Sequence, residues 1–391
     1  RTLERDDPSA GKDLVLTIDM RLQRIAEEAF EGQRGALVAI DPSNGEILAS
    51  VSRPAFDPNL FVDGIDVESW RELNESKDFP LINRPLYGTY PIGSTYKPFV
   101  ALAALELKKR GAKEIVYDPG YFELGPQRYR NSGSTAYGAV NMHRALVVSS
   151  DTYFYSLAPL IPIDTLHDFM AQFGFGQLTD IDLDGEKSGV LPSTEWKRKS
   201  FRKREDQSWY QGETVSTLVG QGYNSFTLLQ LAQATSVLAN LGVLRQPHIV
   251  RAIKNTRTGE AIPVNVKPPN MLPLKPENIK VVRDAMIDVT KIGTARRAFE
   301  GVTYDVAGKT GTAQLFSLKG SKYNADQVDE RLRDHSLFMG YAPAQTPKIA
   351  LAVLVENAGW GGAVAAPIAR KVFDAWLLPS KPTQAVEIEP V

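Results

Sequence analysis

The sequence contains no cysteine, so it can form neither a disulfide nor a thiolate metal site. No apolar run approaches the roughly 18 residues that a membrane-spanning helix needs. The net charge of -1 offers no overall field that would attract nucleic acid or an anionic surface. Four scattered histidines lack the spacing of metal ligands, and we expect each to be a surface or core residue: His143, His167, His248 and His335.

The 391 residues are 43% hydrophobic, which is enough for one large domain or two to three smaller ones. The sequence starts at Arg1 rather than at a methionine, and it carries no signal peptide. Residues 1–12 are polar and include a proline and a glycine, which favour irregular backbone. We therefore expect a piece of a longer protein, in which residues 1–12 form a linker into a folded domain.

The most informative stretch begins at Ser94 and Lys97, which are one helical turn apart and share a helix face. Gly93 permits a sharp entry, and Pro98 is tolerated because it falls in the first turn. Residues 99–105 are all apolar and predict a core helix. A desolvated lysine can take the proton of a serine and make it a nucleophile, so the pattern is consistent with a reactive hydroxyl. A helix cap beside a surface lysine is the alternative.

Two later motifs strengthen the reactive interpretation. Ser149, Ser150 and Asp151 interrupt a helical pattern, and residues 309–312 (Lys-Thr-Gly-Thr) lie on a predicted late strand. Taken singly, the first is typical of a turn and the second of an ordinary strand end. Their order and settings agree with the Ser-x-x-Lys, Ser-Asp-Asn and Lys-Thr-Gly set of penicillin-recognising serine enzymes. The agreement among all three motifs favours a catalytic site.

With these motifs, nearly the whole chain resembles the class B penicillin-binding proteins, which are peptidoglycan D,D-transpeptidases. The form of the second motif, together with residues 309–314 and 356–361, resembles the branch of that family that serves cell elongation. Residues 220–223 (Gly-Gln-Gly-Tyr) match a family loop that lines the cleft. The resemblance therefore implies that Gly222 and Tyr223 contact the substrate.

The resemblance also implies roles for the catalytic residues. Ser94 would attack the carbonyl of the penultimate D-alanine of a stem peptide and form an acyl-enzyme. Lys97 would act as the base, and Ser149 would relay the proton to the leaving amine. Lys309 would complete the catalytic set. No metal or organic cofactor is needed for this chemistry.

Further residues of the third motif are implied to bind substrate. Thr310 and Thr312, with Lys309, would hold the terminal carboxylate of the substrate or of a β-lactam. The backbone N–H groups of Ser94 and Thr312 would form the oxyanion hole. Gly311 would let the strand approach closely.

Asp151 departs from the general pattern, which has asparagine there. An ionised aspartate only accepts hydrogen bonds, whereas asparagine also donates them. We expect Asp151 to pair with Lys97 and to contact a substrate amide. That pairing favours the charged form of the amine, so the resting protonation of Lys97 stays open at this point.

The implied fold class is α/β (α+β), the penicillin-binding transpeptidase or serine β-lactamase-like fold. Its antiparallel sheet is flanked by helices and interrupted by an inserted all-helical lobe. We expect a transpeptidase domain over 13–380, with an α/β lobe at about 13–60 and 290–380 and a helical lobe at about 90–290. Residues 381–391 are expected to be a tail.

Strand patterns at both ends of the chain support this architecture. An Asn-Gly turn within residues 41–45 joins strands at 36–40 and 46–51 into a predicted hairpin. A second hairpin is predicted from strands at 336–341 and 349–355. We expect both hairpins to share one antiparallel sheet.

The resemblance also implies partners and a location. The partners would be peptidoglycan stem peptides, β-lactam antibiotics, a membrane glycan polymerase and the elongation complex, with no role for nucleic acid. The domain would work in the periplasm, held to the inner membrane by an anchor absent from this sequence, and residues 1–12 would link it to a pedestal expected upstream.

Two other functions remain open at this stage. A β-lactamase or D,D-carboxypeptidase of the same fold would need a residue that activates water, and the sequence does not locate one. A non-catalytic penicillin-sensing domain would need a decayed site, whereas Ser94, Lys97, Ser149 and Lys309 are all present.

One basic run lies between residues 197 and 204. Because Glu205 and Asp206 follow it and no regular aromatic series accompanies it, we expect a solvated loop. A patch for anionic lipid or polymer is the alternative.

Overall fold

The computed structural model describes residues 11–314 and 329–379. The expected tail at 381–391 and most of the expected linker lie outside these residues. Within the described part, no helix has both the length and the apolar character needed to cross a membrane. The helices are α1 (Met20–Glu28), α2 (Val67–Glu75), α3 (Arg84–Tyr87), α4 (Lys97–Glu106), α5 (Met142–Val148), α6 (Asp151–Tyr155), α7 (Ile163–Ala171), α8 (Thr194–Ser200), α9 (Gln211–Thr217), α10 (Leu228–Ala239), α11 (Pro276–Lys291) and α12 (Ala365–Leu377).

The strands range from two to eight residues in length. They are β1 (Asp13–Leu16), β2 (Gly35–Ile40), β3 (Ile47–Arg53), β4 (Thr89–Tyr90), β5 (Val116–Asp118), β6 (Tyr121–Leu124), β7 (Gln127–Arg130), β8 (Gly138–Val140), β9 (Phe226–Thr227), β10 (Val243–Leu244), β11 (Val250–Lys254), β12 (Ala261–Pro263), β13 (Asn270–Met271), β14 (Ala307–Ala313), β15 (His335–Ala342) and β16 (Ile349–Val355).

A five-stranded sheet in the order β14-β15-β16-β2-β3 forms the centre of the fold. All of its neighbouring strands run antiparallel. The predicted hairpins are the pairs β2–β3 and β15–β16, and the pairing of β16 with β2 joins them. The expectation that both ends of the chain share one sheet is therefore confirmed.

Both faces of this sheet are covered by helices. Successive side chains of a strand point to opposite faces, and β2 and β16 are buried at every position, so both faces need a cover. Along β16, Leu351 and Val353 point to one core, which contains residues of α1 and α12. Ala352 and Leu354 point to the other core, which contains α4 and α10. The fold class expected from the sequence is thus confirmed.

The helical insert is not all-helical, and that part of the expectation is wrong. Between α4 and α11 the described chain forms small antiparallel pairs, among them β5–β8 and β6–β7. The strand β11 also joins β1 and β12 in a separate sheet. Strands of two to five residues are too short to show a period-two pattern, and they depend on partners that are distant in sequence.

The central helix α4 is buried on every side. All of its residues from Lys97 to Ala104 are buried, and Pro98 lies in its first turn, as expected. The Phe99 ring packs edge-on against Phe173 and Phe175, whose ring centroids lie 5.4 and 5.2 Å away. A helix packed in this way holds the side chains of its first turn in fixed positions.

The basic run is solvated only in part. Arg198 and Lys199 are exposed, as expected, but they lie on α8 rather than in a loop. Lys197 is only 3% exposed, and its amine contacts the Glu213 carboxylate and donates to the Ser208 carbonyl at 2.7 Å. Four aromatic rings surround this amine within 5.8 Å: Phe201, Trp209, Tyr210 and Tyr223. The expectation of a solvated lysine is wrong at this position.

Candidate active site

Ser94 lies in a turn of 3-10 helix, Gly93–Tyr96, which leads directly into α4. Gly93 has φ +51°, and its N–H donates to the Gly220 carbonyl at 3.0 Å. A Cβ built on Gly93 would collide with the Thr312 carbonyl oxygen and lie 3.4 Å from the Thr312 nitrogen. Only glycine therefore lets the Ser94 turn approach the β14 backbone this closely.

The Ser94 side chain is partly buried. Among the residues that the structure describes, its hydroxyl has no hydrogen-bond partner. The backbone carbonyl of Ser94 accepts from the Lys97 N–H, which continues the helical turn. The hydroxyl is thus free to react with a substrate, and it lies just before the first residue of the buried helix α4.

The Lys97 amine makes three polar contacts although the residue is completely buried. Its Nζ donates to Asp151 Oδ1 at 2.6 Å, to the Ser149 carbonyl at 2.8 Å and to Ser149 Oγ at 3.2 Å. The Phe154 ring also lies 5.5 Å from this nitrogen. Ser94, Lys97 and the second motif therefore meet at one end of α4.

Lys309 reaches the same hydroxyl from the sheet. Its Nζ donates to Ser149 Oγ at 2.9 Å and to the Thr310 carbonyl at 3.0 Å, and the residue is fully buried. The Ser149 hydroxyl thus contacts both Lys97 and Lys309. Three chain segments that are distant in sequence converge on this one oxygen.

Ser149 owes its position to an uncommon backbone conformation. It ends α5 with φ +60° and ψ +39°, the left-handed region that L residues seldom adopt. Ser150 then caps α6 by accepting from the Tyr153 N–H at 3.1 Å. This sharp reversal between two helices directs the carbonyl and the hydroxyl of Ser149 to the Lys97 amine.

Burial controls the electrostatics of the two lysines. Burial lowers the pKa of Lys97, while the charge and hydrogen bond of Asp151 and the charge of Asp118 oppose that change. Burial lowers the pKa of Lys309 still further, and the nearby charge of Lys97 adds to the effect. The pairing of Lys97 with Asp151 that we expected is present, but burial has the larger effect on the Lys97 pKa.

The threonines of the third motif have separate environments. Thr310 is 7% exposed, and its hydroxyl lies 2.6 Å from the Thr294 hydroxyl, on the strand face opposite Lys309. A Cβ on Gly311 would lie 2.8 Å from Thr95 Cγ2, so glycine is required where β14 passes the Ser94 turn. The Thr312 carbonyl accepts from Gln221 Nε2 at 3.2 Å.

The loop at residues 220–223 forms part of this neighbourhood, although Gly222 and Tyr223 differ in setting. Gly222 is exposed with φ +69°. The Tyr223 hydroxyl donates to Glu213 at 3.1 Å, and its ring centroid lies 5.1 Å from that of Trp196. Tyr223 thus belongs to the aromatic cluster around Lys197.

Sequence reasoning missed two residues that contact the motifs. Gln221 bridges the loop to Thr312, and its only signal was its place between Gly220 and Gly222. The backbone N–H of Ser132 donates to Asp151 Oδ2 at 3.0 Å, and nothing in the local sequence indicates this contact. With Lys97 on the other oxygen, both Asp151 oxygens are occupied.

Comparison with known proteins shows the family to which the chain is similar. The model of the penicillin binding protein transpeptidase domain matches residues 35–374. A peptidoglycan D,D-transpeptidase MrdA from Acinetobacter baumannii is 44% identical over 386 residues, covering 97% of this chain and 56% of that protein. This chain therefore spans little more than half the length of that relative.

Two solved structures are similar over most of the chain. The Pseudomonas aeruginosa PBP2 structure in complex with WCK 5153 is 46% identical with a TM-score of 0.85, covering 97% of this chain and 82% of that one. The Helicobacter pylori complex between PBP2 and MreC gives 31% identity and a TM-score of 0.80, covering 92% of this chain and 63% of that one.

Proposed function

We propose that this chain, which belongs to the penicillin-binding protein transpeptidase family, is the catalytic domain of a peptidoglycan D,D-transpeptidase. One observation carries the proposal. The Ser149 hydroxyl contacts the amines of both Lys97 and Lys309, and Ser94 lies one helical turn before Lys97 with a hydroxyl that no described residue engages. Together these groups provide a nucleophile, a base and a proton relay.

In the first half of the reaction, Ser94 Oγ attacks the carbonyl carbon of the penultimate D-alanine. The Lys97 amine takes the hydroxyl proton as the new C–O bond forms. The C–N bond to the terminal D-alanine then breaks, and Ser149 passes a proton from Lys97 to the leaving amine. The products are an acyl-enzyme and free D-alanine.

The second half reverses these roles. The amine of a neighbouring stem peptide attacks the acyl carbon and gives up a proton through Ser149 to Lys97. The ester bond to Ser94 breaks, the serine recovers its proton, and a peptide cross-link remains. A β-lactam would acylate Ser94 by the first half alone, because its leaving group stays attached.

The close approach of Gly93 to Thr312 supports the assignment of the oxyanion hole. The backbone N–H groups of Ser94 and Thr312 would stabilise the negative oxygen of the tetrahedral intermediate. Lys309 uses two of its three donors on Ser149 and Thr310, so one remains for a substrate carboxylate. Thr310 and Thr312 complete the carboxylate site in this proposal, and Gly222 and Tyr223 line the cleft.

We also propose a cellular setting. The Helicobacter pylori relative is described as a complex with MreC. We infer that this domain serves cell-wall elongation on the periplasmic side of the inner membrane, beside a membrane glycan polymerase. The domain limits expected from the sequence, 13–380 with a preceding pedestal, belong to the same proposal.

Labelling with a fluorescent penicillin tests the chemistry. We expect covalent labelling that persists for minutes to hours, that is lost in Ser94→Ala and that is retained in Ser200→Ala, an exposed control. Label that survives in Ser94→Ala would refute the nucleophile. Label lost within a second would favour a β-lactamase instead. Formation of cross-linked product from lipid-linked precursor, with and without the polymerase, tests the transpeptidase step.

A further inference from the structure

A second carboxylate is buried beneath the Ser149–Asp151 turn. Asp118, the last residue of β5, is completely buried. Its oxygens accept from the Gly120 N–H at 2.7 Å, from Asn131 Nδ2 at 2.9 and 2.8 Å, and from Ser150 Oγ at 2.5 Å. Within the described part of the chain, no cationic side chain lies within ion-pair distance of this carboxylate. Three donor groups, those of Gly120, Asn131 and Ser150, take the place of a counter-ion.

Asn131 connects this carboxylate to the far side of the turn. While its Nδ2 donates to Asp118, its Oδ1 accepts from the Thr152 N–H at 2.8 Å and from the Thr152 hydroxyl at 2.9 Å. Asn131 is only 4% exposed. Asp118 therefore holds Ser150 directly and Thr152 through Asn131.

The two anchored residues flank Asp151, which contacts Lys97. The residue before Ser150 is Ser149, whose left-handed backbone brings its carbonyl to the same amine. The residue after Asn131 is Ser132, whose N–H donates to Asp151. Among the described residues, the hydrogen bonds of the Asp151 carboxylate thus come from Lys97 and from Ser132, which is next to Asn131 of the Asp118 network.

We propose that Asp118 is a positioning residue for the transpeptidase reaction, which fixes Ser150 and Asn131 and thereby holds Ser149 and Asp151 against Lys97. It touches no reacting atom. The inference rests on the proposed function, because it assigns Asp118 to the same acylation site. Small displacements of a base or relay lower rates steeply, so a rigid support has a direct kinetic effect.

The charge of Asp118 supplies a second readout. The charged groups that act on the pKa of Lys97 are Asp151 from α6 and Asp118 from β5, and the charge of Lys97 in turn lowers the pKa of Lys309 on β14. Two nearby tyrosines, Tyr137 and Tyr155, have pKa values raised mainly by burial and further by Asp151. Removing the Asp118 charge would lower the Lys97 pKa, because that charge favours the protonated amine.

The test uses Asp118→Asn, Ser150→Ala and the double variant of the full chain. The measurement is the second-order rate of acylation by a fluorescent penicillin across pH, alongside thermal unfolding. We expect each single variant to lose about 10- to 100-fold in rate. The double variant should lose much less than the product of the two, since both changes break one connection. Asp118→Asn should also move the inflection of the pH profile downward, and Ser150→Ala should not.

Asp305→Asn is the matched control, because Asp305 accepts from Gln345 and pairs with Lys291 on another part of the fold. It should acylate within twofold of the natural chain. The inference would be overturned if Asp118→Asn left both the acylation rate and its pH profile unchanged. It would also be overturned if the loss of rate in the double variant equalled the product of the two single losses. If Asp118→Asn does not fold, the test rests on Ser150→Ala. An acylation rate of Ser150→Ala within twofold of that of the natural chain would then overturn the inference. Failure of the natural chain itself to be acylated would instead refute the proposed function.

Discussion

The Lys97 amine lies 2.6 Å from an Asp151 carboxylate oxygen, yet the pKa of this lysine is below its ordinary value of 10.5. An exposed pair at this distance would have the opposite effect on the lysine. Because Lys97 is completely buried, the loss of hydration outweighs the attraction of one carboxylate. Burial therefore favours the neutral amine, which can keep its hydrogen bond to Asp151 and still accept a proton as a base.

Acylation by penicillin should accelerate with rising pH through the Lys97 pKa, since only the neutral amine accepts a proton. Asp151→Asn removes the charge that raises this pKa, so the inflection should move to lower pH. Asp168→Asn, at an exposed position, should leave the profile in place. A pH profile of the acylation rate for all three chains checks this, and an upward shift in Asp151→Asn would contradict the assignment.

Lys97→Met should lower the acylation rate by about 10²- to 10⁴-fold, the usual contribution of a general base. The methionine fills a similar volume but cannot accept a proton. Lys280→Met is the control, because Lys280 is exposed and pairs with Asp284 one turn away. Stopped-flow acylation compares them, and a loss below tenfold in Lys97→Met would assign the base elsewhere.

Ser149 offers a test that separates strain from chemistry. Ser149→Ala and Ser149→Gly both remove the hydroxyl and should both lose acylation. Glycine accepts the left-handed backbone without strain, so Ser149→Gly should be more stable than Ser149→Ala by about 1 kcal/mol. Denaturant unfolding measures the difference. Acylation retained by either variant would exclude a relay through this oxygen.

Gly93→Ala should both destabilise the fold and slow acylation. Its Cβ would strike the Thr312 carbonyl at a positive φ, and we expect a loss of about 1–3 kcal/mol in the free energy of unfolding. Gly111→Ala is matched, since a Cβ there meets nothing within 4 Å and should change stability by less than about 0.5 kcal/mol. Equal stability of the two variants would show that the close approach is not required.

Glu356 is predicted to be a stabilising residue near the end of the sheet. Its carboxylate accepts from buried Arg84 at 2.9 Å and from the Tyr90 hydroxyl at 2.8 Å. Glu356→Gln should cost about 2–4 kcal/mol, because Arg84 loses its charged partner inside the protein. Glu330→Gln, at an exposed carboxylate 3.4 Å from Arg34, should cost at most about 0.5 kcal/mol. Thermal and denaturant unfolding of both variants provide the comparison.

Some of the architecture follows from local chemistry alone. The Asn44-Gly45 turn joins β2 and β3 as predicted, because its residues favour the backbone of a tight hairpin. The apolar run after Pro98 forms a buried helix for a similarly local reason. The pairing of β16 with β2 has no local signal in the sequence. It could be predicted only from the assumption that the two hairpins belong to one sheet.

Other features depend on contacts that no local pattern records. Asp118 precedes Pro119 and Gly120 and so resembles a simple turn residue, yet its partner Ser150 is 32 residues away. The left-handed Ser149 appears in the sequence only as an interruption between helical runs. The pair β4–β9 has two residues in each strand, too few for any periodicity. The prediction of a solvated lysine at 197 was wrong, because the sequence does not show that the Lys197 amine lies within an aromatic cluster.

The strand order has a consequence for biosynthesis. Residues 35–40 of β2 pair with residues 350–355 of β16, so β2 depends on a partner strand that is synthesised more than 300 residues later. Until then β2 and β3 are a lone hairpin, which is marginally stable in water and has an apolar free edge. The edge of β2 would therefore stay unpaired until β16 has been synthesised, and the proposed acylation site, which takes Lys309 from β14 of the same sheet, would be completed only after that point.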